Sequence, residues 1–113
     1  MEQTSEAQFN QLVDELMFSI EESIDSSGAE LDYENSGGLL TLTCETNGSQ
    51  IILSRQPALG EVWLAARSGG FHFKLQDTDQ GSRWCNTIDS TPLAEALSQA
   101  FQEQAKEQIN FDF

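Results

Sequence analysis

The chain has 113 residues and a formal net charge of −14, from 19 acidic against 5 basic side chains. That length accommodates one domain with a single two-layer core, and the lack of Lys and Arg clusters excludes a binder that neutralises nucleic-acid phosphates. The two cysteines, Cys44 and Cys85, form no CxxC pair, which excludes a dithiol redox motif and a thiolate metal site. No signal-peptide order opens the chain and no run approaches the ~18 apolar residues of a membrane span. A cytoplasmic protein with free thiols is the expectation.

In chain order, a polar stretch over residues 1–5 leads into an amphipathic helix. On a wheel of roughly 100° per residue, Phe9, Leu12, Val13, Leu16, Met17, Ile20 and Ile24 share one side, and Asp14, Glu15, Glu21, Glu22 and Asp25 the other. The helix is expected to end near Asp25, in Ser26-Ser27-Gly28, where glycine provides a left-handed cap. Leu31 and Tyr33 then alternate with acids, Ser36-Gly37-Gly38 turns, and Leu40, Leu42 and Cys44 alternate with Thr41 and Thr43 in a period-two strand pattern. Asn47-Gly48 predicts a type I′ hairpin turn into a strand over Gln50 to Arg55. Gln56-Pro57 ends that strand, because proline cannot donate to the ladder.

A further strand covers Glu61 to Ala66, with Val62 and Leu64 on one face and Trp63 and Ala65 on the other. Ser68-Gly69-Gly70 predicts a turn, and Phe71, Phe73 and Leu75 a strand with His72 and Lys74 on its wet side. Gln76 to Ser82 is expected to be a polar loop before a short strand around Trp84 and Cys85. Thr91-Pro92 predicts an N-cap with proline at the first helical position, followed by a core stripe of Leu93, Ala96, Leu97, Ala100 and Phe101 to about Lys106. Residues 107–113 form a C-terminal tail beyond a single domain of residues 1–106; Ile109, Phe111 and Phe113 give it the means either to pack or to extend. The pattern predicts an α+β fold: a two-layer sandwich with two helices on one face of a five- to six-stranded antiparallel sheet. The uncovered face then carries Ser54, Trp63, His72 and Lys74.

Eleven acids precede Arg55 with no Lys or Arg among them, so the negative field is lopsided. Five like charges on one helix face repel at spacings of three and four, which folding alone does not require. Glu30, Asp32 and Glu34 alternate along the first strand and are expected to extend that surface. An acidic surface is either simply solvated, or it attracts hard cations or a basic protein patch. It lacks the Cys, His and Asp-x-Asp-x-Asp-Gly pattern of a tight cage, so weak, multiple, exchangeable metal sites are expected. Trp63 is expected to be an exposed interaction anchor, and His72 a surface side chain. With one His, no nucleophile motif and acids on a convex helix, the sequence does not point to an enzyme.

Ile20-Glu21-Glu22-Ser23-Ile24-Asp25, Asn35-Ser36-Gly37-Gly38-Leu39-Leu40-Thr41, Ser54-Arg55-Gln56-Pro57, Val62-Trp63-Leu64-Ala65 and Gly69-Gly70-Phe71-His72-Phe73 together resemble the frataxin family over about Phe9 to Ala105. The resemblance implies an α-β sandwich that binds Fe²⁺ and Fe³⁺ weakly along an acidic ridge and takes part in iron–sulfur cluster assembly. Mapped onto this chain, the metal ridge is Glu21, Glu22, Asp25, Glu30, Asp32 and Glu34, with Glu6 near the helix start. Contacts to the implied partners, a cysteine desulfurase and an iron–sulfur scaffold protein, fall to Glu21, Glu22, Asp25, Ser54, Trp63 and His72; Ser54 stands where many members carry Asn. The resemblance further implies a monomer that oligomerises with iron. An alternative of another class is a general acidic interaction module, a nucleic-acid mimic whose metal binding is incidental.

Overall fold

The computed structural model describes residues 5–79, 81–111 and 113. Helix α1 (Glu6–Ser27) is followed by strands β1 (Leu31–Ser36), β2 (Leu39–Cys44), β3 (Gln50–Gln56), β4 (Glu61–Ala66), β5 (Gly69–Thr78) and β6 (Gly81–Asn86), and then by helix α2 (Leu93–Ala105). The six strands pair antiparallel in sequence order, β1-β2-β3-β4-β5-β6, an open meander with β1 and β6 at its edges. One sheet face, carrying Leu40, Leu42, Leu53, Val62, Leu64 and Phe73, forms the core with the apolar stripes of both helices. This is the α+β sandwich expected. No described helix is long and apolar enough to cross a membrane.

Helix α1 begins with a capping box: the Ser5 hydroxyl accepts from the Gln8 amide, and the Gln8 side chain accepts from the Ser5 amide. Its last residue is Ser27, two beyond the expected Asp25, and Gly28 at φ 71° forms the left-handed cap expected of it. Phe9, Val13, Leu16, Met17, Ile20 and Ile24 are its buried residues. Arg55 of β3 reaches up to it: Nη2 lies 2.7 Å from Asp14 Oδ1, and Nη1 donates to the Asn10 carbonyl and side chain at 3.4 and 3.3 Å. Asp14 is therefore paired, by the first basic residue of the chain.

Several local expectations give way to tertiary packing. The two-residue loop with left-handed φ at both positions is Gly37-Gly38 (62° and 83°), between the paired Ser36 and Leu39. At Asn47-Gly48 only the glycine is left-handed, because Asn47 is held elsewhere: its amide donates to the Gln104 carbonyl at 2.8 Å and its Oδ1 accepts from the Ser49 amide. Gly69 and Gly70 belong to the β5 ladder, and the turn is Arg67-Ser68. The segment read as a loop from Gln76 to Ser82 is largely strand, with Gln76 opposite Arg83 and Asp77 opposite Ser82. Asp77, Thr78 and Ser82 are exposed, so their ladder needs no apolar alternation; the Ser82 hydroxyl donates to Asp77 instead. Thr91 does not cap α2. Its carbonyl accepts from the Asn86 amide and Pro92 bridges Cys85, so residues 91–92 lie along β6 and Pro92, at ψ 141°, takes the cap position.

Gln104 is a core residue that helical periodicity does not reveal, because a polar side chain there carries no apolar signal. It is 5% exposed. Its Oε1 accepts from the Arg67 amide at 2.7 Å, and its Nε2 donates to Ser49 Oγ at 2.6 Å and to the Gln50 carbonyl at 3.2 Å. One side chain thus ties the β2–β3 and β4–β5 turns to the end of α2. The following segment packs as well: Ile109 is buried, its carbonyl accepts from Ser98 Oγ at 2.7 Å, and Phe111 stacks on Phe101 at 5.8 Å. Replacing Gln104 by Ala removes three hydrogen bonds and strands the Arg67 amide, an expected loss of about 2–3 kcal/mol. Urea unfolding reads this as a lower midpoint at unchanged slope, and an unchanged midpoint would show that the side chain does not hold the turns.

Candidate functional site

Charge concentrates where the second half of α1 runs beside edge strand β1. On β1 the pleat sends Leu31, Tyr33 and Asn35 toward α1, opposite the buried Cys44, Leu42 and Leu40, and sends Asp32 and Glu34 to the helix-free face beside Thr43 and Thr41. The acids therefore do not form the single surface expected of them. Glu21, Glu22 and Asp25 lie on the helix side of the edge, and Asp32 and Glu34 on its sheet side. Glu6, in the first turn of α1, stands about 22 Å along the helix axis from Glu21 at 1.5 Å per residue. Glu30 precedes β1 and is exposed; its backbone amide donates to Glu107 Oε2 at 3.1 Å.

Two of the helix-side acids, Asp25 and Glu21, are held by neutral donors. The Tyr33 hydroxyl donates to Asp25 Oδ2 at 2.8 Å, and the Asn35 amide to Glu21 Oε2 at 3.1 Å. On the strand, Asp32 Oδ1 accepts from the Tyr33 amide at 3.0 Å. Sequence reasoning read Tyr33 as part of the apolar alternation and gave Asn35 no role at the site; their parity on β1, once the helix face is known, is the signal that finds them. Among the described residues the ion pairs are Arg55 with Asp14 and His72 with Glu61, so no cation lies within bridging distance of Glu21, Glu22, Asp25, Asp32 or Glu34. Phe18, 61% exposed, sits in the middle of the helix acids, three and four residues from Glu15, Glu21, Asp14 and Glu22. No three described His, Cys, Asp or Glu side chains converge on a common point. A cation here meets one or two carboxylates, with water completing its shell.

The hydrogen bond to Asp25 holds the Tyr33 phenol above its ordinary pKa, assisted by desolvation and by the charges of Asp25, Glu21 and Asp32. Cys44, a free buried thiol like Cys85, is held below its ordinary value by the Thr46 hydroxyl 3.0 Å away, against an opposing effect of burial.

The second feature lies on the helix-free face, where register aligns Ser54, Trp63 and His72 across β3, β4 and β5. The Trp63 and His72 rings stack 4.3 Å apart at 6°, and Trp63 Nε1 donates to Glu61 Oε1 at 2.8 Å. The same oxygen lies 3.5 Å from His72 Nδ1. Trp63 is on the outer face, as alternation requires, but half-buried by its neighbours instead of freely exposed. Glu61, which fixes the indole, was not singled out by its sequence position; a carboxylate two residues from a strand Trp, and so on the same face, is the available clue.

Comparison with known proteins identifies the fold. The family model described as a Frataxin-like domain matches residues 2–107. An iron-sulfur cluster assembly protein CyaY from Stutzerimonas stutzeri is 48% identical over 96% of this chain and 96% of its own length, and one from Pseudomonas aeruginosa 46% identical over 95% and 96%. The structure of frataxin from Psychromonas ingrahamii superposes with a TM-score of 0.86 at 36% identity, covering 96% of this chain and 99% of that one. Trimeric frataxin from Saccharomyces cerevisiae, complexed with ferrous iron, shares the fold with a TM-score of 0.65 at 24% identity, covering 95% and 91%. This chain belongs to the frataxin family.

Tyr33 is the only tyrosine, so its ionisation can be followed directly by ultraviolet absorbance. Its raised pKa means that the hydrogen bond stabilises the fold fully below about pH 10 and is lost as pH rises through the folded-state value. The titration midpoint is expected above that of free tyrosine and to fall toward it in Asp25→Asn. A midpoint unaffected by that substitution would show that the pair does not exist in solution.

Proposed function

We propose that this protein binds iron weakly and modulates iron–sulfur cluster assembly, docking its α1–β1 edge on a basic surface of the cysteine desulfurase and its Trp63 face on the scaffold protein. The observation that carries the reading is the set of acids Glu21, Glu22, Asp25, Asp32 and Glu34 along one sheet edge with no bridging cation among the described residues. Charge so placed steers association with a positive partner and attracts hard cations. Relatives at 46–48% identity that carry the name iron-sulfur cluster assembly protein support the pathway. Iron is cargo or signal here, held by Glu21, Glu22, Asp25, Glu30, Asp32 and Glu34 in exchangeable sites. The protein acts by binding and not by catalysis, in the cytoplasm, as a monomer that associates when iron is added. The Glu61 bond and the His72 stack hold the Trp63 indole in one orientation, which reduces the ordering cost of docking against it.

The triple reversal of Glu21, Glu22 and Asp25 to Lys is expected to abolish desulfurase binding in calorimetry while leaving the circular dichroism spectrum unchanged. Retained binding would remove the helix side of the edge from the interface. Wild-type affinity is expected to fall as ionic strength rises toward the physiological ~0.15 M, where the screening length is about 8 Å; a salt-independent affinity would contradict the electrostatic reading. Trp63→Ala is expected to weaken scaffold binding at least about tenfold without altering the affinity for iron.

A further inference from the structure

Away from both surfaces, a cavity of about 290 Å³ opens between α2 and the end of the sheet where β4, β5 and β6 meet the β6–α2 loop. Its floor is apolar, made by Leu64, Phe71 and Ala100. One wall is Asn86, 8% exposed and so more than nine-tenths buried. Its backbone amide donates to the Thr91 carbonyl, its carbonyl accepts from the Ser90 amide, and its Oδ1 accepts from the Ile88 amide at 2.8 Å. That last bond fixes the orientation of the side-chain amide. Nδ2 has no protein partner among the described residues, so the residue that lines the cavity carries a donor still free to bond.

Among the described residues, the charged ones lining the cavity are Asp89, three residues along the loop from Asn86, and Glu103, near the far end of α2, with no Lys or Arg. Asp89 Oδ1 accepts from the Thr91 amide, with the Thr91 side chain also bonded to the carboxylate, and Glu103 Oε1 accepts from Gln99 Nε2; both carboxylates are exposed and keep further acceptor lone pairs. Two chemistries are thus set apart by an apolar span. At the loop end a donor (Asn86 Nδ2) and an acceptor (Asp89) together match a hydroxyl, which can accept from one and donate to the other. At the helix end Glu103 matches an ammonium. The eight residues of α2 from Ala96, also in the lining, to Glu103 cover about 10 Å, long enough for an aromatic or short aliphatic body between the two polar ends. Anions are disfavoured at both ends.

We propose that this cavity is a binding site for a small hydroxylated amine, with its hydroxyl at Asn86 and Asp89, its apolar body over Leu64, Phe71 and Ala100, and its ammonium at Glu103. The site shares no residue with the acidic edge or the Trp63 row, so it is independent of the role in cluster assembly. The test is an amide-resolved NMR titration of the full chain with three probes of like shape: tyramine, phenethylamine without the hydroxyl, and 3-(4-hydroxyphenyl)propionate with the charge reversed. Tyramine is expected to give saturable shifts at the Asn86 side-chain amide, Ala96 and Ala100. Phenethylamine is expected to bind more weakly, and the propionate at least about tenfold more weakly. Glu103→Gln, an exposed substitution, is expected to weaken tyramine while leaving phenol-end shifts in place, and Ala96→Leu, checked for unchanged thermal unfolding, to abolish them. No saturable shift around Asn86, equal binding of the propionate, or tyramine affinity unchanged in Glu103→Gln would each overturn the proposal.

Discussion

The organisation of this molecule depends on two helices covering one face of the sheet and leaving the other bare. Six buried side chains of α1 lie on the core, each worth about 1.5–3 kcal/mol when removed from water. Against that, repulsion between acids a turn apart on the opposite face costs only a few tenths of a kcal/mol per pair. Burial therefore wins, and the acids are carried outward as a rigid group. The same arrangement leaves the outer sheet face for the Ser54, Trp63 and His72 row, because every strand alternates and alternate residues have no helix to meet.

The crowding is moderated without being cancelled. Tyr33 and Asn35, on the helix side of β1, donate to Asp25 and Glu21, orienting carboxylates while leaving their charge intact. Arg55 is spent on Asp14 nearer the start of the helix, where it also holds the Asn10 carbonyl and anchors α1 to β3. The edge itself is kept from pairing with another strand partly by Asp32, which occupies the Tyr33 amide. Negative charge thus protects an open sheet edge as well as setting the field on which the proposed docking relies.

Rigidity comes from polar clips as well as from apolar packing. Gln104 joins two hairpin turns to α2, Asn47 joins one of them again, and Ser98 holds the segment after the helix. On the outer face Glu61 does for Trp63 what Gln104 does for the turns. Gln104 and Asn47 bridge elements more than thirty residues apart, whereas Glu61 acts within its own strand, and in each case a polar side chain fixes what apolar packing leaves free.

What the chain alone determined follows from period and composition: two amphipathic helices, the alternating strands, the β3 stop at Gln56-Pro57, an uncompensated negative field, and Trp63 on the opposite parity from Val62 and Leu64. Those are local properties, set by where apolar side chains recur. The extended β5–β6 ladder escaped that reading because its backbone pairs where no core demands alternation, and the α2 cap because Thr91 and Pro92 are recruited to β6. Only the tertiary structure decided how α1 lies along β1. A period of two puts Tyr33 and Asp32 on opposite faces but does not place Tyr33 and Asn35 against Asp25 and Glu21, and that docking divides the acids between the two sides of the edge.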